Sequence, residues 1–274
     1  MKRLVNLKPR PATRWLLGAL PFALLALLYL GLSSQRLADN PSDRLLPSPA
    51  TMAESFLRLA SEPSARTGAR LLWSDTFASL ERLFAGVAIS AVLALMIGLA
   101  CGALPLVRAK LSPLVTVVSL IPPMAILPIL FIAFGTDELA KVALIVIGVT
   151  PFLIRDLQGH ALRVPAEQWV KAQTLGASSW QLILRLLLPQ LMPRLISSVR
   201  LALGSAWLFL IAAEAIAAQE GLGYRIFLVR RYLAMDVILP YVAWITLLAF
   251  IIDQTLAWIS RRGFPWFHAE EKDT

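Results

Sequence analysis

The chain has 274 residues, 58% of them hydrophobic and 16% charged, and its mean hydropathy is +0.70. A soluble domain carries about 25% charged and about 45–50% apolar residues, so this composition excludes a single water-soluble core and calls for a bilayer as solvent. The net charge of +9 is that of a membrane protein with bases beside its apolar spans, not of a nucleic-acid binder, and the lone Cys101 excludes an internal disulfide or a zinc cluster.

A membrane crossing takes about 20 helical residues. Residues 1–14 form a basic tail with Lys2, Arg3, Lys8, Arg10 and Arg14 and no acid. The uncharged run Leu16–Leu32 predicts a first transmembrane helix over residues 15–32. It is long for the apolar part of a cleaved signal peptide and no clean A-x-A site comes after it, which favours a retained helix. Residues 33–82 read as an external loop with short helices.

Leu83–Val107 and Leu111–Thr136 are uncharged and predict spans two and three. Leu139–Ile154, with only Lys141, predicts the fourth span. Leu195–Ala218, with Arg200 and Glu214, predicts the fifth, and Val237–Ile259, with Asp253, the sixth. The expected fold is all-α and polytopic, with about six transmembrane helices. Residues 83–260 form a five-helix core that includes a long loop at 155–194, and residues 261–274 form a C-terminal tail.

Lys and Arg collect in cytoplasmic loops. With the N-terminus inside, the inner loops hold fifteen bases and the outer segments nine, six of them in the long first loop with balancing acids. Both termini are therefore expected in the cytoplasm. The triplet Arg225, Arg230 and Arg231 runs against that pattern.

Within the third span, Pro122, Pro123 and Pro128 each remove a backbone donor. Broken helix at membrane depth is tolerated where it is buried or lines a wet cavity, so these prolines mark either a translocation path or a packing kink. Glu214 is costly in lipid and defaults to a functional reading. It lines the path, or it is a water-reaching group at a helix end paired with Arg225. Arg200 and Asp253 read as a structural ion pair. Ser197, Ser198, Gly204 and Ser205 are small enough for close helix approach. The sequence has no Walker A, H-E-x-x-H or G-x-S-x-G motif, and its two histidines are far apart. An enzyme with a cofactor, metal or nucleophile is not expected.

The most informative stretch runs from Arg155 to Pro193. Pro165 suits a first helical position, and a helix over Ala166–Leu175 should end at Gly176, a left-handed cap. Ser178 or Ser179 should cap a second helix, Trp180–Leu188, with Pro189 and Pro193 interrupting the approach to span five. Trp169, Val170, Leu175, Trp180 and Leu182 give this hairpin an apolar surface that fits a groove on a partner better than it fits water.

Here the chain resembles the permease subunits of binding-protein-dependent ABC importers. That family carries E-A-A in this loop, a glycine after three intervening residues, and I-x-L-P after nine more. This chain has Val170-Lys171-Ala172, Gly176 and Leu186-x-Leu188-Pro189. Val170 stands for the family's Glu and Lys171 for its first Ala, so any ionic contact falls to Glu167 or Lys171. Ile121-Pro122-Pro123, Pro128, Phe134-Gly135, Ser198 to Gly204, Ala213-Glu214 and Gly221-Leu222-Gly223-Tyr224 are similar to the nitrate/sulfonate/taurine-type permeases, over roughly Leu45 to Arg262.

The resemblance implies a type I importer permease fold in a bacterial inner membrane. It implies a two-fold dimer, as a homodimer, with cytoplasmic ATP-binding subunits docked on the 155–194 loops and an external binding protein, periplasmic or lipid-anchored. Its cargo would be a small polar solute: nitrate, a sulfonate, taurine, or a urea- or guanidine-like compound. The alternatives are a secondary transporter working without an ATPase and a membrane-embedded enzyme. The glycine-turned loop argues against the first and the missing catalytic motifs against the second.

Overall fold

A computed structural model describes residues 11–41, 43–64 and 68–269. Lys2, Arg3, Lys8 and Arg10 of the basic tail, Arg66 of the long loop and Lys272 lie outside the described residues. Ten helices succeed one another: α1 (Pro11–Asp39), α2 (Pro49–Ser61), α3 (Leu71–Ala103), α4 (Pro105–Leu120), α5 (Pro123–Phe134), α6 (Glu138–Ala161), α7 (Ala166–Thr174), α8 (Ser179–Ala217), α9 (Leu222–Arg230) and α10 (Met235–Gly263). A short 3-10 turn, Pro265–His268, ends the described chain.

α1, α3, α8 and α10 are each long and apolar enough to cross a membrane, and α4 and α5 reach that apolarity only as a pair bent by 95° at the break between them, the shape of a broken span or of a re-entrant loop. α6 has the length for the sixth but carries Glu138, Lys141, Arg155 and Asp156. It is the central helix: α3, α4, α5 and α8 pack around it, and Leu144, Ile145, Leu153 and Leu157 are fully buried. A helix sheathed by other helices does not need an apolar surface all round.

Three expected boundaries move. α1 runs to Asp39, past Leu32, and α3 starts at Leu71, well before Leu83. The first turns of α3 carry Asp75, Glu81 and Arg82, and internal partners for Asp75 and Arg82 let the helix continue where apolarity alone stops. The third span does not run through Leu111–Thr136 as one rod. Pro122 and Pro123 disfavour helical backbone at the residue before each of them. Ile121 (φ −73, ψ 122) and Pro122 (φ −64, ψ 116) are accordingly extended, and the axis turns between them.

Close packing of α3 on α6 depends on glycines other than the small residues anticipated on α8. A Cβ on Gly86, Gly98 or Gly102 would lie 2.7, 2.9 or 2.3 Å from Ile145, Leu157 or Ala161 respectively, whereas one on Gly204 would meet nothing within 4 Å. Small residues at a helix contact let backbones approach, which is how membrane helices gain packing without a hydrophobic driving force.

An ionic lattice ties one end of the bundle together. Glu214, fully buried on α8, accepts hydrogen bonds from Ser79 Oγ (2.7 Å), Arg82 Nη1 (2.8 Å) and the Gly223 amide (2.8 Å). Arg82 also grips Glu138 with two nitrogens, and Lys141 binds the same carboxylate at 2.8 Å. Asp75 receives Arg225 Nε (2.7 Å), the Tyr241 hydroxyl (3.1 Å) and the Gly221 amide (3.0 Å). The suggested Glu214–Arg225 pair does not form, because each has a nearer partner on α3. The Arg200–Asp253 pair is present and bidentate, at 2.8 and 2.9 Å between α8 and α10.

Candidate coupling loop and translocation cavity

The 155–194 loop folds as a knob. Pro165 caps α7 and is not its first helical residue. The helix closes in a Schellman turn: Gly176 N–H donates to Gln173 O (2.9 Å), Ala177 N–H donates to Ala172 O (3.0 Å), and Gly176 sits at φ +80, where glycine carries no Cβ penalty. Ser178 then starts α8 with a capping box. Its Oγ accepts from the Gln181 amide (3.3 Å), and its amide donates to Gln181 Oε1 (2.8 Å).

Pro189 and Pro193 do not interrupt α8. Residues 182–187 take a π-helical register, and the Leu188 amide reaches back to Ile183 O. That wider turn absorbs the donor missing at Pro189, and π segments are frequent at functional sites. The second helix of the knob and span five are therefore one 39-residue helix, about 58 Å long at 1.5 Å per residue.

The anticipated apolar surface divides. Val170, Leu175 and Trp180 are exposed, Leu175 to 87%. Trp169 packs on the core and Leu182 is buried. Glu167 and Lys171 are exposed on α7. Ala172, Gly176 and Ala177 line a hollow of about 430 Å³ with Leu182, Arg185 and Leu186. Leu188 is half-buried and Pro189 exposed at the base of the knob. A Gln190–Gln168 hydrogen bond (2.9 Å) ties α7 to α8 there.

The helix break opens a second feature. A cavity of about 530 Å³ is bounded by Ser119, Ile121 and Pro123 at the break, Arg155 and Asp156 on α6, and Phe209 on α8. Pro122 makes the break and Pro123 lines the cavity. Pro128 lies farther along α5, exposed, and Glu214 is in the ionic lattice; neither lines the cavity. Gly148 also faces it and admits no Cβ, which would sit 2.3 Å from the Phe209 ring.

Charge spacing in the sequence placed Arg155 among the loop bases and missed its position here. Its Nη1 donates to Ser119 Oγ at 2.9 Å, and it makes no ion pair among the described residues. The neighbouring Asp156 is occupied: Arg194 holds both its oxygens at 2.8 and 2.9 Å, and Ser198 donates to it as well. The Arg155 guanidinium, exposed at the cavity's edge, is therefore left without an acidic partner among the described residues.

Residues 77–263 match the family described as "Binding-protein-dependent transport system inner membrane component". The chain is 35% identical over 233 residues to the taurine transport system permease protein TauC of Escherichia coli, covering 84% of this chain and 82% of that one. It is 30% identical to the bicarbonate transport system permease protein CmpB of Synechococcus elongatus, over 70% of this chain and 69% of that one. A chain of the inward-facing MetNI methionine ABC transporter superposes with a TM-score of 0.61 at 21% identity, covering 70% of this chain and 95% of the other, a likeness of fold. The matched region spans the core from α3 to α10, including the knob and the broken helix, and by that match the chain belongs to the inner-membrane components of binding-protein-dependent transport systems, as the membrane-spanning permease subunit of an ABC importer.

Proposed function

We propose that the permease moves a small anionic solute, a sulfonate or carboxylate of taurine or bicarbonate size, through the cavity at the α4–α5 break. The observation that supports this reading is the Arg155 guanidinium, which faces the cavity without an acidic partner among the described residues. A guanidinium facing a cavity favours an anion and disfavours a second cation such as guanidinium. Taurine and bicarbonate are the cargoes named for two relatives.

Power enters through the knob. Glu167, Val170, Lys171, Ala172 and Gly176 form the face offered to a cytoplasmic ATP-binding subunit, and Leu188 and Pro189 carry its motion into span five. Because the second knob helix is continuous with that span, a partner that moves Trp180 moves α8 as a rigid body, past the cavity wall at Phe209. The assembly would be a homodimer with both termini cytoplasmic and a binding protein on the outer side.

Uptake by the reconstituted importer tests the solute class. Arg155→Gln should lower taurine or sulfonate uptake at least tenfold and Arg155→Lys much less, with guanidinium failing to compete in the native protein. Taurine and sulfonate uptake that is unchanged in Arg155→Gln, or competition by guanidinium, overturns the anionic reading.

A further inference from the structure

The carboxylates of the ionic lattice are not alike. Asp75 and Glu214 are fully buried, whereas the side chain of Glu138 is 61% exposed. The two cations that Glu138 holds are the reverse: the side chain of Arg82 is 5% exposed and that of Lys141 4%. Arg82 reaches Glu138 through Nε and Nη2 and gives Nη1 to Glu214. Lys141 Nζ donates to Glu138 Oε1 and makes no second ion pair among the described residues. Two buried cations therefore share one exposed carboxylate as their cover, at the end of the bundle remote from the knob.

A buried charge needs a partner, but that rule does not fix which anion the partner is. Arg82 stays anchored by Glu214 whatever becomes of Glu138. Lys141 does not, because its pair with Glu138 is an i to i+3 contact on one helix, weak where one member is in water. An apolar residue at 141 would pack there without the desolvation cost of a buried ammonium. The course of α6 gives the lysine another use. Lys141, Gly148 and Arg155 follow at seven-residue intervals, so they lie on one stripe of the helix, drifting by only ~20° per interval. Gly148 and Arg155 border the cavity at the α4–α5 break. Lys141 stands on the same stripe, about 21 Å from Arg155 along the axis at ~1.5 Å per residue.

We propose that Arg82 and Lys141 form a second anion site, which takes the sulfonate or carboxylate head of the solute before it reaches the cavity, and that Glu138 fills this site when no solute is present. The proposal rests on the reading of the solute as an anion. The arriving head displaces the Glu138 carboxylate, which swings into the water it already faces, and the exchange leaves the charge on the two cations balanced. Three donors converge here: Nε and Nη2 of Arg82 and Nζ of Lys141. The two oxygens of Glu138 divide them, with Oε1 taking two. A sulfonate brings three oxygens to the same three donors, and forked guanidinium–oxyanion contacts are among the strong hydrogen bonds.

The test uses the intact permease–ATPase complex in detergent, without its binding protein. The probe is methanesulfonate, with chloride at equal ionic strength as the control. Binding is read as the concentration that gives half the maximal rise in melting temperature. Glu138→Gln removes the internal competitor and should bind methanesulfonate at least tenfold more tightly than the native protein. Lys141→Gln keeps the Arg82–Glu138 pair, leaves no cation unpaired, and should bind it at least fivefold more weakly than the native protein. Adding Arg155→Gln to Glu138→Gln should leave the tenfold gain intact. Equal half-saturation in the native protein and Glu138→Gln overturns the proposal, as does native binding in Lys141→Gln, a variant that answers even if Glu138→Gln does not fold. A gain that disappears in the double variant overturns it too, because the anion would then sit at Arg155 alone. Uptake by Arg155→Gln bears on the cavity and these melting curves on Arg82 and Lys141, so either reading can fail without the other.

Discussion

Replacing Gly176 with Val isolates the backbone requirement of the knob. Gly176 sits at φ +80, and a Cβ built there meets no heavy atom within 4 Å, so the whole local penalty is conformational. A residue with a Cβ loses about 1–2 kcal/mol in the left-handed region, which is a factor of roughly 5–30 in an equilibrium. The Schellman bonds from Gly176 and Ala177 should then open in a matching share of molecules, and Leu175 and Trp180 should lose their fixed spacing. The assay is co-purification of the ATP-binding subunit together with solute-stimulated ATP hydrolysis in vesicles. Gly176→Val should still insert, because the residue lies in the knob outside the spans, yet bind the ATPase about tenfold more weakly. Gly176→Asn should recover most of the binding, since asparagine enters the left-handed region several-fold more readily than other residues. Native docking and hydrolysis in Gly176→Val would refute the assignment of this turn to coupling. An Asn variant as impaired as Val would refute the backbone argument and leave only side-chain bulk.

Glu214→Gln should destabilise the bundle by about 3 kcal/mol, because it leaves the buried Arg82 with Glu138 as its sole carboxylate partner; a melting temperature equal to that of the native protein in detergent would remove Glu214 from the anchoring lattice. Gly148→Ala should cost about 1–3 kcal/mol by overpacking against Phe209, and adding Phe209→Ala should recover part of that loss, which thermal unfolding of the single and double variants reads directly. Ser64→Cys should react with an impermeant thiol reagent added to intact cells while the buried Cys101 does not; labelling only after permeabilisation would reverse the proposed orientation.

Much of this protein was legible in the sequence because the bilayer imposes simple demands. An uncharged run of about 20 residues has few fates other than a span, and Pro165, Gly176 and Ser178 announce the knob through local backbone chemistry that needs no tertiary partner. Where apolarity was the sole guide, boundaries failed. Asp75 and Arg82 belong to α3 only because Arg225 and Glu214, over 130 residues away in the chain, neutralise them. Pro189 looked like a helix break, and a π turn absorbed it, since the stretch is held from both ends by packing. Proline order predicted the interruption at Pro122, but its 95° bend and the cavity beside it arise from how α4, α5 and α6 meet. Composition counted Arg155 as one more basic residue of a loop. Only the fold placed it beside Ser119 and gave Asp156 to Arg194, because the partner of a charge is decided by distance in space, which sequence separation does not encode.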